Sequence, residues 1–260
     1  VRRGRLALQR VAFVSALLLL WEAATGGFGL PPMLEPIIVA RPSQAIAEVG
    51  AYAATGLLAK DLATTMQAAS IGLGLGIIGG VAFGLLLGYA RGFADTVEPV
   101  LIAFNSLPRI ALAPVLVIAF GLGITSKIFL AFFTVFFVIF FNTYLGIRSV
   151  DPELVKAVRV MGGTRRDLAR YVILPSVSSW IFAALRTSVS FALSGAVVGE
   201  FVGSTAGLGY RMVISAGLLD TNRTYAILLL LMAIAVTLVE LAKRVEDRLL
   251  RWRPTAAFMS

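Results

Sequence analysis

Six apolar stretches dominate this 260-residue chain. They run over about 11–30, 64–89, a third that follows Pro99, about 126–146, 177–198 and 225–241. Crossing a bilayer takes roughly 20 helical residues. Only helices and closed barrels satisfy their own backbone polar groups in lipid. Charged residues make up 14% of the chain, against about 25% in soluble domains, and the mean hydropathy is +0.90. The expectation is an all-α polytopic membrane protein with six transmembrane helices. It forms a single transmembrane domain over 1–260, with no room for a large soluble one.

The chain has no cysteine and no histidine. That removes disulfides, thiolate metal sites and the usual proton shuttle near neutral pH. The net charge of +9 would suit nucleic acid, but the positions of the cations argue for a membrane. With the N-terminus inside, 16 of the 23 basic residues fall on the inner side. They are Arg2, Arg3, Arg5, Arg10, Arg91, Arg148, Lys156, Arg159, Arg165, Arg166, Arg170, Lys243, Arg244, Arg248, Arg251 and Arg253. Arg41, Lys60, Lys127, Arg211 and Arg223 fall outside, while Arg109 and Arg186 lie in or near spans. This bias puts both termini in the cytoplasm.

The first block resembles a signal peptide. It lacks a clear small-residue cleavage site and is interrupted by Trp21 and Glu22, so it reads as a retained span. Val1 in place of Met reads as a trimmed or valine-coded start. Pro31, Pro32, Pro36 and Pro42 keep the next segment extended. Ser43 then caps a short helix that Gly56 ends. Gly72, Gly76, Gly80, Gly84 and Gly88 form a small-residue stripe on the second span, which lets another helix approach closely in lipid. A short loop from Arg91 to Pro99 leads to the third span, where Pro108 and Pro114 kink or break the helix. Broken helices persist in membranes where they line a cavity or pack in protein. The pathway candidates are therefore Asn105 and Arg109 at the break, Asn142 in the Phe-rich fourth span, Arg186 in the fifth, and Glu200 at its end.

The long polar segment is Asp151–Pro175. Asp151 is a good N-cap, Pro152 suits the first helical position, and Glu153 faces the positive end of the helix dipole. Gly162 and Gly163 stop that helix. Thr164 with Asp167 resembles a capping box that starts another, and Pro175 marks the next boundary. Leu154, Val155, Val158 and Met161 share one face, with Lys156 and Arg159 opposite. Those residues fit equally a helix lying on lipid headgroups and one docking on a protein.

This segment resembles the EAA loop of the permease subunits of ABC importers. The pattern falls on Lys156-Ala157-Val158, then Gly162, then Val172-Ile173-Leu174-Pro175. Lys156 replaces the family's glutamate, Val158 its second alanine and Val172 its isoleucine. Further segments resemble the nitrate, sulfonate, taurine and bicarbonate branch. They are Leu107–Pro114, Phe120–Gly123, Asn142–Glu153, Ala184-Leu185-Arg186, Gly199-Glu200, Gly207-Leu208-Gly209 and Leu249–Arg253. Thr65–Ala68 departs from the branch's Ser-Leu-x-Arg.

The resemblance implies a type I ABC importer permease fold. It implies coupling to an ATPase through Glu153, Leu154, Val155, Ala157, Val158, Met161, Gly162 and Gly163. It also implies a second permease copy in a homodimer and an extracytoplasmic solute-binding protein. ATP and magnesium would sit on the partner ATPase, with no cofactor or metal on this chain, and no phosphate-binding loop is present. The branch points to a sulfonate, taurine or nitrate as solute, with a vitamin precursor or aromatic carboxylate as the alternative. An ATP-independent secondary transporter, the rival reading, would usually carry mid-membrane ionisable relays.

Overall fold

The computed structural model describes residues 2–249. The described regular elements are helices, in the order α1 (Arg2–Ala24), α2 (Pro42–Ala54), α3 (Leu57–Tyr89), α4 (Arg91–Ser106), α5 (Leu112–Phe120), α6 (Ile124–Arg148), α7 (Pro152–Val160), α8 (Arg165–Leu168), α9 (Leu174–Val202), α10 (Leu208–Gly217) and α11 (Thr221–Leu249). Arg251, Trp252 and Arg253 of the closing basic stretch, and Val1, lie outside the described residues. So do the side chains of Arg2, Arg3, Arg5, Arg10 and Arg91.

Four helices are long and apolar enough to cross a bilayer: α3, α6, the continuous run from α8 through α9, and α11. The third block is a bent pair, Thr96–Ser106 and Arg109–Phe120, at 79° to each other. It counts as a fifth crossing if the pair acts as one. The apolar part of α1, Val11–Ala24, is shorter than a full crossing. The first block stops there, before Leu30, because Gly26 takes a left-handed φ of +87°.

The described residues fall into two compact units: those up to Ala63 with Ala206–Ala233, and Thr64–Thr205 with those from Ile234 on. In the first unit α1 packs on α2, and Trp21 meets Tyr225 with ring centres 5.7 Å apart. Ser43 is not the cap of α2. Arg41 holds that position, with Pro42 first in the helix. The Ser43 N–H and hydroxyl instead donate to the Glu22 carboxylate, at 3.0 and 2.7 Å. Glu22 thus satisfies a free N–H at the start of α2. Asp61, buried at 1% exposure, accepts from the Tyr52 hydroxyl at 2.6 Å, the Gly207 N–H at 2.9 Å and Arg211 Nε at 2.9 Å. Arg223 pairs with Glu48. Burial, then the adjacent Asp61 carboxylate, push the Tyr52 phenol well above its usual value.

In the second unit α6 lies between α3 and α9. A methyl added at Gly72 would come 2.5 Å from Ala131 Cβ; at Gly76, 2.6 Å from Val135 Cγ1; at Gly80, 2.8 Å from Ile139 Cβ; and at Gly84, 2.6 Å from Thr143 Cβ. Gly88 meets Ile147 just as closely. The stripe is therefore a packing face, and its partner is α6. From the other side, Gly195 and Gly199 of α9 press on Ala131 and Lys127 of α6. Val135, Ile139, Ala184 and Ala192 form the shared core.

Other local expectations change. The stretch from Arg91 is helical rather than a loop, with Pro99 inside α4. The break falls at Leu107-Pro108, both extended. Pro114 breaks nothing, because it sits in the first turn of α5, where its missing N–H costs no bond. The helix does not stop at Pro175 either. Ala169–Ile173 forms a π turn, with the Leu174 N–H bonded to the Ala169 carbonyl. Such wide turns accommodate local conflicts within a helix, here the proline ring against the carbonyl four residues back. The fifth span continues past Gly199-Glu200 to Val202. Lys127, counted among the outer cations, does not reach solvent. It is buried in α6, with Nζ donating to the carbonyls of Leu122 at 2.6 Å and Gly123 at 2.8 Å.

Candidate functional site

Two places on the second unit gather the candidate residues. The first is the 151–175 segment. The Asp151 side chain accepts from the Glu153 N–H at 2.8 Å and starts α7 over Pro152. At the far end Gly162 has φ +77°, and the Gly163 N–H bonds the Val158 carbonyl at 2.9 Å. Such a left-handed closure needs a residue without a Cβ penalty. A methyl at Gly163 would also strike Val158 Cγ1 at 2.5 Å. The Thr164–Asp167 box forms in both directions and opens α8.

The apolar stripe divides. Val155 and Val158 are half-buried, whereas Leu154, Ala157, Val160 and Met161 are exposed, Val160 at 87% and Met161 at 77%. At 3.6 residues per turn the four exposed residues share one arc of α7. Val160 was not among the sequence candidates; its place on that arc is clear once the buried side is known. Lys156, at the family's glutamate position, pairs with Glu153 at 2.8 Å. Arg159, Arg165, Arg166 and Arg170 of the same segment are exposed cations. Just before the loop, the Tyr144 hydroxyl donates to Glu98 at 2.8 Å and accepts from Arg148 Nε at 3.0 Å. This links α4 to the end of α6.

The second place is an open cavity of about 390 Å³ at the break between α4 and α5, walled by α6 and α9. Its lining includes Asn105, Arg109, Leu130, Thr134, Phe191 and Ser194. The extended Leu107-Pro108 turns the chain so that Asn105 and Arg109 face each other. Arg109 Nη2 donates to Asn105 Oδ1 at 2.9 Å, and the guanidinium carbon lies 5.9 Å from the Phe191 ring centre. Thr134 Oγ1 is spent on backbone carbonyls, Ala131 at 2.7 Å among them. The Ser194 side chain is exposed. Thr134, Phe191 and Ser194 carried no sequence signal, since they reach the cavity only through the packing of α6 on α9.

The other three candidates lie elsewhere. Asn142 donates to the Val138 carbonyl of its own helix at 2.8 Å. Arg186 pairs with Glu246 of α11. Glu200 is buried at 1% exposure, accepting from Thr65 Oγ1 at 2.8 Å. Among the described residues no group of three or more acidic, His or Cys side chains could hold a metal ion.

A chain whose described regular elements are all helices, with an exposed, capped helix between two long apolar helices and a broken helix lining a cavity, is organised as a membrane permease. Residues 72–251 match the family of binding-protein-dependent transport system inner membrane components, and the chain belongs to that family. It is 35% identical to the riboflavin transport system permease protein of Chloroflexus aurantiacus, over 91% of this chain and 87% of that one. It is 31% identical to the formylaminopyrimidine transport permease protein of Halalkalibacterium halodurans, over 97% and 99%. It is 29% identical to the taurine transport system permease protein of Escherichia coli, over 85% and 82%. The fold is that of a type I ABC importer permease. An inward-facing methionine ABC transporter superposes with a TM-score of 0.63 at 22% identity, covering 76% of this chain and 96% of that one. An amino acid ABC transporter gives 0.63 at 20% identity, covering 77% and 97%.

Proposed function

We propose that this permease subunit forms the translocation pathway for a small anionic solute and is driven by separate ATPase subunits docked on α7. The observation that carries the reading is the exposed apolar arc of Leu154, Ala157, Val160 and Met161 on a helix capped at both ends. Such a face needs a partner, and a groove that accepts an amphipathic helix suits it. ATP and magnesium belong to that ATPase. Its closure would draw the α7 helices of two permease copies together and turn the pathway outward, and hydrolysis would reset it. The second copy is an identical chain, and an extracytoplasmic binding protein delivers the solute. The loop and both termini face the cytoplasm of a bacterial inner membrane.

Arg109 in the cavity supports an anion, and the branch resemblance suggests a sulfonate, taurine or nitrate. The named solutes of the riboflavin and formylaminopyrimidine relatives favour a second reading, a vitamin precursor or aromatic carboxylate. Purification of the tagged chain from its native membrane tests the assignment. The expected result is a co-purifying ATPase and ATP-dependent solute flux in liposomes. A chain that emerges alone from gentle detergent and transports without ATP would instead be a secondary transporter.

A further inference from the structure

The cavity at the α4–α5 break has one polar pole and a large apolar remainder, and that asymmetry selects among anions. Arg109 is half-buried. It donates a hydrogen bond to Asn105, and among the described residues no carboxylate lies within ion-pair distance of it. A guanidinium offers five N–H donors in a planar fork that matches a carboxylate or sulfonate with two parallel bonds. A charge drawn out of water without a counter-charge is costly, and an incoming oxyanion would relieve that.

The rest of the wall offers little to an oxyanion. Leu107, Ile110, Leu130, Phe191 and Val198 are apolar, Thr134 is spent on backbone carbonyls, and Ser194 is the remaining hydroxyl. A nitrate or sulfate ion seated against this wall would give up part of its water to hydrocarbon and regain donors only at the Arg109 pole. Burying polar groups without new bonds is unfavourable. Volume points the same way. About 390 Å³ lies within the range of roughly 300–1,000 Å³ typical of sites for drug-sized ligands. A four- or five-atom ion would leave most of it as water against hydrocarbon.

We infer that this cavity takes an amphipathic organic anion: a sulfonate or carboxylate on the Arg109 fork, with an apolar, preferably aromatic, body against Phe191, Leu130 and Val198. Compact inorganic oxyanions are poor ligands for it. The inference rests on the reading of the cavity as part of the pathway. It narrows the solute class to organic anions and sets nitrate aside.

The test is ligand-observed NMR titration of the purified full chain, with whatever partners co-purify, using benzenesulfonate as probe. Nitrate, sulfate and benzyl alcohol serve as competitors. Saturable benzenesulfonate binding is expected, displaced by none of the three at equal concentration. Arg109→Gln should weaken it by about tenfold or more, the scale of a lost charge-assisted bond. Arg109→Lys should restore part of the loss, because it keeps the charge without the fork. Phe191→Leu should weaken benzenesulfonate more than ethanesulfonate. Each variant is first checked for native thermal unfolding and size-exclusion behaviour. Equal competition by nitrate would overturn the inference. So would equal competition by benzyl alcohol, unchanged binding in Arg109→Gln, or no saturable binding by the native chain. The importer assignment fails separately, by absence of a co-purifying ATPase.

Discussion

Replacing Gly80 by alanine should destabilise the second unit although it adds a single methyl group. That methyl would sit 2.8 Å from Ile139 Cβ and 2.9 Å from the Phe136 carbonyl oxygen. Comfortable carbon–carbon contact begins at about 3.5–4.0 Å, so α3 and α6 must separate locally by about 0.7–1 Å. Overpacking of that kind costs about 1–3 kcal/mol. Alanine regains about 1 kcal/mol of helix propensity over glycine, which leaves a net loss of up to about 2 kcal/mol. At about 2–4 °C per kcal/mol for chains of similar size, the midpoint of thermal unfolding in detergent should fall by up to about 8 °C. Gly74→Ala is the internal control. It lies on the same helix with no atom within 4 Å of the added methyl, and should be neutral or slightly stabilising. Gly76→Ala with Gly84→Ala adds a further check. The two sites are eight residues apart, about 12 Å along the helix, a distance at which effects usually add. Both changes push the same pair of helices apart, so separation forced by one makes room for the other, and the double variant should lose less than the sum. A Gly80→Ala protein as stable as Gly74→Ala would refute close packing of this stripe on α6.

Leu154→Asp and Met161→Asp should abolish ATPase co-purification and leave membrane insertion unchanged; retained ATPase in both would refute docking through the exposed arc. Arg211→Met removes the ion-pair partner of the buried Asp61 carboxylate and should cost about 3–5 kcal/mol. Tyr52→Phe, which removes one hydrogen bond to that carboxylate, should cost only about 1 kcal/mol; both are read from thermal unfolding, and equal losses would count against the network. Because the Tyr52 phenol is held above its usual value, its contribution is complete below the unfolded value near pH 10 and is lost only as pH rises through the higher folded one. Alkaline titration followed at 295 nm should therefore show this phenol ionising after the others. Thr164→Ala should remove about 1 kcal/mol of capping and loosen the start of α8, measured as faster amide exchange at Asp167.

Arg186 and Glu200 show what a sequence leaves open about buried charge. Each reads as a pathway candidate because an ionisable group in a span is costly. Folding brings Glu246 to Arg186 and Thr65 to Glu200, across 60 and 135 residues. Asp61 and Lys127 carried no signal at all, yet each organises a buried set of hydrogen bonds. Arg109 and Asn105 were legible together because both sit beside a proline break. The size of the cavity and the contributions of Phe191 and Ser194 were not, since they come from another helix.

Local pattern suffices for whatever depends on neighbours in the chain: the apolar blocks and their helical state, the Asp151 and Thr164 caps, the glycine stop at Gly162, and the stripe on α3. Each rests on backbone geometry or spacing within a few residues. Tertiary structure alone decided that the stripe faces α6, and that Val155 and Val158 turn inward while Leu154 and Met161 stay outside. It likewise decided which charges are paired and where the break in the third block opens a cavity. Those outcomes depend on which helices meet. In lipid that choice is made by close van der Waals fit and polar satisfaction between distant segments, and neither is written in the local pattern.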